Sequence, residues 1–187
     1  MLAQLEQCRA IPDFNNYLAF VFASGEGLPS EVRQGAGLVL KNNLRGAFAA
    51  TPPPFQAYIK EALLRGLALP DRALRHTAGT CAVSVVGVAG GGAWPQLPAA
   101  LDAGLRGGDA AAVEGALDAL YKLWEEVPTA VDAEQPPASG RRPSDALVPA
   151  ALALFGAGDA PTRALAVAAV NLAAGFMPKA LMREMDT

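Results

Sequence analysis

Pro29-Ser30-Glu31-Val32-Arg33-Gln34-Gly35-Ala36-Gly37-Leu38-Val39-Leu40 sets the architecture once it is laid beside two later stretches, Asp71-Arg72-Ala73-Leu74-Arg75-His76-Thr77-Ala78 and Asp159-Ala160-Pro161-Thr162-Arg163-Ala164-Leu165-Ala166. Each opens on a helix-starting Pro or Asp, reaches an arginine four residues later, and places an alanine three residues after the arginine. The arginines Arg33, Arg75 and Arg163 are separated by 42 and 88 residues, the second interval being twice 44. A further copy belongs in the long interval. Asp109-Ala110-Ala111-Ala112-Val113-Glu114-Gly115-Ala116-Leu117 fits it, with Val113 where the arginine would stand and Ala116 aligned with Ala36, Ala78 and Ala166.

A second helix recurs out of phase with the first. Pro12-Asp13-Phe14, Pro54-Phe55, Trp94-Pro95-Gln96-Leu97 and Asp145-Ala146-Leu147 open its copies. Apolar residues then follow at helical spacing: Phe14, Tyr17, Leu18, Val21; Phe55, Tyr58, Ile59, Ala62; Leu97, Ala100, Leu101, Leu105; Leu147, Ala150, Ala151, Leu154. The unit is a pair of antiparallel helices, A then B, with the period of HEAT and armadillo repeats; two helices per unit favour HEAT. The expected fold is all-α, an α-α superhelix of about four and a half repeats, roughly 1–26, 27–67, 68–107, 108–157 and an incomplete 158–187. Gly37, Gly79 and Gly115 are expected where neighbouring helices approach closely, since each costs about 1 kcal/mol against Ala in helix propensity unless packing recovers it. Pro128 to Pro143 is read as an exposed loop inside the fourth repeat, and Gly90-Gly91-Gly92 as a turn.

Composition agrees with short Ala-rich helices cut by turns. Of 187 residues 52% are hydrophobic, 18% charged and 6% aromatic, with 19 Gly and 15 Pro, and a net charge of -3. So much apolar content with so little charge argues against disorder. The longest apolar stretches, Cys81 to Ala89 and Ala164 to Ala174, fall short of the roughly 20 residues that span a bilayer, so membrane insertion is not expected. No basic region leads into an apolar one at the amino terminus, which predicts no secretory signal. Cys8 and Cys81 are too few for a disulfide framework or a metal site, and an intracellular, reduced protein is expected. A pI near 5.2 lacks the basic footprint of a nucleic-acid binder, and the pair Arg141-Arg142 reads as solvated.

Catalytic chemistry finds no foothold. His76 has no nucleophile to serve in the pattern of a triad. Gly90-Gly91-Gly92 lacks the strand and the Gly-Lys spacing of a phosphate loop, and Glu125-Glu126 are too close in sequence to share one helical face. Neither an enzyme nor a cofactor is expected. Arg33, Arg75 and Arg163 read as a polar ladder reaching across repeats to carboxylates or carbonyls and fixing their register; an anion-binding surface is the alternative reading.

Pro12-Asp13-Phe14-Asn15-Asn16-Tyr17-Leu18, followed by Gly37-Leu38-Val39-Leu40-Lys41-Asn42-Asn43 and Phe48, resembles the amino-terminal repeats of the transportins, nuclear import receptors of the importin-beta (karyopherin-beta) superfamily. Tyr58-Ile59-Lys60-Glu61, Arg75-His76-Thr77-Ala78-Gly79, Trp94-Pro95-Gln96-Leu97, Glu114 to Lys122 and Ala166 to Asn171 fall in the same order and spacing. Two departures stand beside this resemblance. Only Leu2 to Ala10 precede the Pro-Asp-Phe turn, where the family has a longer helix, and the sequence stops at Thr187, where the family continues through many more repeats. The family's long acidic loop and its carboxy-terminal cargo surface have no counterpart here.

The resemblance implies a carrier that shuttles between cytoplasm and nucleus, binds cargo bearing a localisation signal, contacts Phe-Gly nucleoporins and releases cargo on binding Ran-GTP. It also implies that B helices line the concave face and that the first repeats hold Ran. Asn15, Asn16, Lys60, Glu61 and Asp102, on the sides of the B helices facing away from their apolar stripes, are then the candidate Ran contacts. Ran-GTP affinity without capture of a localisation signal is expected of these repeats alone. Exposed apolar surface is expected after Gly175. A HEAT-repeat interaction scaffold unrelated to Ran is the alternative, against which stands the run Leu40-Lys41-Asn42 with its upstream Arg33.

Overall fold

The computed structural model describes residues 11, 13–132, 142–156 and 159–176. The expected first A helix with Cys8, residue Pro12 of the first B-helix turn, Arg141 and most of the loop assigned to 128–143, and the chain after Phe176 lie outside the described residues. The described residues fold into helices with no strand among them: α1 (Phe14–Ser24), α2 (Ser30–Ala47), α3 (Pro53–Gly66), α4 (Arg72–Ala89), α5 (Gln96–Arg106), α6 (Ala110–Glu126), the short α7 (Pro128–Asp132), α8 (Pro143–Ala153) and α9 (Ala160–Ala174). They form a helical-repeat solenoid. The A helices are α2, α4, α6 and α9; the B helices are α1, α3, α5 and α8.

Helix starts follow from local chemistry. The carboxylate of Asp71 accepts from the backbone N–H groups of Ala73 and Leu74, that of Asp109 from Ala112, and that of Asp159 from Thr162. Each satisfies donors that the first turn leaves unpaired. At α2 no side chain caps the helix, but Pro29 enters it at φ -54. Gly90, at φ 79, ends α4 in a conformation that an L side chain rarely adopts, and a 3-10 turn, Gly91–Ala93, leads to the buried Trp94.

The A helices stack consecutively, α2 on α4, α4 on α6 and α6 on α9. Each B helix packs against the A helix that follows it, α1 on α2, α3 on α4, α5 on α6 and α8 on α9. Small residues make these approaches possible. A Cβ at Gly66 of α3 would come within 2.9 Å of the Ala78 Cβ, and one at Gly104 of α5 within 2.8 Å of the Ala116 Cβ. The recurrent alanines Ala78 and Ala116 are therefore the A-helix side of a Gly/Ala contact. At the first pair the sizes are exchanged: the fully buried Phe22 ring of α1 fills the space left by Gly37 and Gly66. Gly79 faces Ala119 on the next A helix, where a Cβ would lie 3.2 Å from the Ala119 Cα. A continuous core of Leu, Val, Ala and two tryptophans runs through the stack. At its carboxy end Phe176 packs edge-on against Trp124, with ring centroids 6.4 Å apart.

Two expectations are corrected. The buried face of α1 is Ala19, Phe22 and Ala23, not a stripe including Tyr17, which is 61% exposed; Phe20 is 52% exposed. With Gly37 and Gly66 closing on Phe22, the helix turns that residue inward and Tyr17 outward. Residues 128–132, assigned to a loop, form α7, whose Val131 is buried and whose Ala130 carbonyl sits so close to Gly91 that a Cβ there would meet it at 2.3 Å.

Candidate functional site

The five residues proposed on the B helices occupy different environments. Asn15 is half-buried, and its Oδ1 accepts a 3.0 Å hydrogen bond from Nδ2 of Asn43 on α2. Asn16 is half-buried too, and its Oδ1 is buried with no hydrogen-bond partner among the described residues. Both thus lean toward the packed side of α1, a consequence of the rotation that exposes Tyr17. Lys60 donates 2.7 Å to the carbonyl of Ala93 and lies 5.6 Å from the centroid of the Phe48 ring; burial pulls its pKa below the ordinary lysine value. Glu61 is exposed and accepts from Arg65, 2.7 Å away and one helical turn on. Asp102, half-exposed, accepts from Arg106 at 2.8 Å, and Arg106 also reaches the Ala146 carbonyl on α8. Glu61 and Asp102 are therefore the two carboxylates of the set held on the outer sides of their helices.

The recurrent arginines are placed as follows. Arg33 Nε donates to the Phe22 carbonyl at 3.0 Å and Nη2 to that of Ala23 at 3.2 Å, joining α2 to the end of α1. Arg75 is buried and donates to the carbonyls of Leu69 and Pro70, both at 2.7 Å, and to Glu114 on α6. Glu114 also accepts from Arg72. Burial alone would raise the Glu114 pKa; the hydrogen bonds and charges of Arg75 and Arg72 outweigh it and hold the carboxyl below its ordinary range. Arg163 lies exposed in the first turn of α9.

A second cluster sits one turn along the same seam. His76 Nδ1 lies 3.2 Å from Asp118, and the buried Lys122 donates 2.8 Å to the His76 carbonyl and 2.5 Å to Asp118. Desolvation lowers the Lys122 pKa even though Asp118 supports its charge. These two clusters line a groove of about 850 Å³ running along α6 between α4 and α9. Its charged side chains are committed to one another, which suits joining helices rather than transferring protons. Sequence reasoning missed Glu114, Asp118 and Lys122 as partners of the Arg75-His76 pair; their helical spacing on the next A helix was the available signal. Cys81 is buried, its thiol directed at the Gly37 carbonyl 3.5 Å away. Among the described residues no group of three or more His, Cys, Asp or Glu could hold a metal ion, and no helix is long and apolar enough to cross a membrane.

The Asn15–Asn43 bond joins the two stretches that carry the family resemblance, the Pro-Asp-Phe-Asn-Asn run and the Leu-Lys-Asn-Asn run. Residues 2–68, which contain both, match the family described as the Importin-beta N-terminal domain. Over that stretch the chain is similar to the importin-beta family. Over 186 residues it is 41% identical to Transportin-1 of Oryza sativa subsp. japonica, an alignment covering 98% of this chain and 20% of that protein. Identity to Transportin of Dictyostelium discoideum is 33% over 183 residues, covering 98% of this chain and 19% of the relative, and to Transportin-1 of Homo sapiens 30% over 184 residues, covering 98% and 20%. The chain thus spans about a fifth of the length of the curated relatives it matches. The family match and these alignments together make it similar to an amino-terminal part of the transportins.

Proposed function

We propose that this chain is the amino-terminal part of a karyopherin-type nuclear import receptor, a carrier and not an enzyme, and that its B-helix row holds Ran in the GTP-bound state. The observation that carries this reading is the match of residues 2–68 to the Importin-beta N-terminal domain, in a chain whose whole length aligns with transportins. Glu61 and Asp102, with Lys60, Asn15 and Asn16 beside them on the B helices, are the proposed contacts. A curved stack of repeats suits such a partner, because each repeat contributes one or two side chains to an extended surface. In the complete receptor the carboxy-terminal repeats would take cargo bearing a nuclear localisation signal, weak contacts with Phe-Gly nucleoporins would carry the complex through the pore, and the receptor would shuttle between cytoplasm and nucleus. Neither nucleic acid nor membrane is a direct partner in this reading, and no cofactor is required.

A pull-down with the chain immobilised tests it. Ran loaded with a non-hydrolysable GTP analogue should be retained and Ran-GDP washed away, while a localisation-signal peptide should not be held. Equal retention of the two Ran forms would overturn the reading.

A further inference from the structure

The two rows of helices are joined unequally. Along the A row every consecutive pair is closely packed, and the seam between α4 and α6 is locked twice: by Gly79 against Ala119, and by the Arg75–Glu114, His76–Asp118 and Lys122–His76 contacts. Along the B row α1 packs on α3 and α5 packs on α8, but α3 and α5 barely meet. What spans that gap is Lys60, whose ammonium reaches from α3 to the Ala93 carbonyl in the turn leading to α5. The turn itself is held from the other side, with Gly91 pressed against the Ala130 carbonyl of α7.

From this we infer that the solenoid hinges between α3 and α5: the A helices serve as the spine, the B row opens and closes as two blocks, α1–α3 and α5–α8, and the Lys60–Ala93 hydrogen bond is the strut that sets the closed spacing. A hinge forms where motion breaks few buried contacts, and here opening the B row breaks one hydrogen bond among the described residues, at a partly exposed site, while the packed A seam stays intact. Blocks on either side move as units because each repeat packs only on its neighbours. A ligand touching both α3 and α5 would therefore fix the pitch of the stack at this point. The inference stands on the packing and does not depend on Ran being that ligand.

Distance distributions between nitroxide pairs in the full chain test it, in a Cys8→Ser background with the buried Cys81 left in place. The pairs use exposed positions: Ala57→Cys with Ala99→Cys across the gap, Tyr17→Cys with Ala57→Cys within the first block, and Ala99→Cys with Ala153→Cys within the second. The distribution across the gap should be about twofold broader than the other two, the signature of a hinge between rigid blocks. Adding Lys60→Met should lengthen or broaden the distance across the gap alone, and Lys60→Arg should restore it. Three distributions of equal width would overturn the hinge; a distance across the gap that ignores Lys60→Met would overturn the strut.

Discussion

The carbonyl oxygen of Leu67 occupies the place where a side chain at residue 115 would begin: a Cβ on Gly115 would lie 1.9 Å from it. Helix α6 is thereby seated directly on the turn between α3 and α4, and the same approach brings Glu114 to Arg75. Replacing Gly115 with Ala would gain about 1 kcal/mol in helix propensity, but relieving a clash with backbone requires the helix to move, and overpacking costs about 1–3 kcal/mol or more. Gly115→Ala is expected to lower stability by up to about 2 kcal/mol in urea unfolding. Gly35→Ala, in the same kind of helix but with open space around it, should instead raise stability by up to about 1 kcal/mol. Equal effects of the two substitutions would contradict the packing described.

Arg75 and Glu114 make the acid sensitivity of the fold predictable. Burial works against the Glu114 carboxylate, yet Arg75 and Arg72 bring its folded pKa below the unfolded one. A depressed carboxylate pKa stabilises the fold above the unfolded value of about 4.3, and that stabilisation is lost as pH falls through the folded value. Asp71, held down by the Ser30 hydroxyl, and Asp159, held down by the Thr162 backbone N–H, act in the same direction. Glu114→Gln should cost about 1–3 kcal/mol at pH 7, because it leaves the buried Arg75 charge without a carboxylate. The gap to the parent chain should close as the pH falls below about 4.3 and through the lower folded value of Glu114. Urea midpoints measured across that range decide it; curves that stay parallel would contradict the assignment.

Much of this arrangement is legible in the sequence because its causes are local. Asp71, Asp109 and Asp159 mark helix starts through bonds made within three residues, and the stripe Leu97, Leu101, Leu105 is buried as its spacing requires. What escaped depends on neighbours. Tyr17 and Phe22 are both aromatic on one short helix, and only Gly37 and Gly66, distant in sequence, decide which turns inward. Val113 breaks the arginine pattern, and the residue beside it, Glu114, supplies the partner for Arg75 one repeat earlier. Lys60 reads as a surface residue until the Ala93 carbonyl is seen next to it.

Cys81 should report on global unfolding. Burial pushes its thiol up to about 12, so almost no thiolate is present at pH 8 while the helix stays packed. In a Cys8→Ser background, alkylation by iodoacetamide should proceed only at the rate set by unfolding and should accelerate in urea in step with loss of helical circular dichroism. Rapid alkylation of the native chain would show that the α2–α4 seam opens on its own.

Charge reversal at the proposed contacts Glu61 and Asp102 is expected to separate binding from folding. Each is paired with an arginine one helical turn along the same helix, the kind of surface pair worth only about 0.3–0.5 kcal/mol. Reversing both charges, Glu61→Lys with Asp102→Lys, should leave the thermal transition nearly unchanged while weakening Ran-GTP binding about tenfold, or 1.4 kcal/mol. Loss of stability together with affinity would mean that these carboxylates hold the helices and not the partner.

Calorimetric titration of the chain with Ran carrying a non-hydrolysable GTP analogue and, separately, with Ran-GDP tests whether these repeats hold Ran in its GTP state. Binding of the GTP form should be saturable and at least about tenfold tighter than that of the GDP form. Equal affinity for the two forms, or no binding of either, would contradict it.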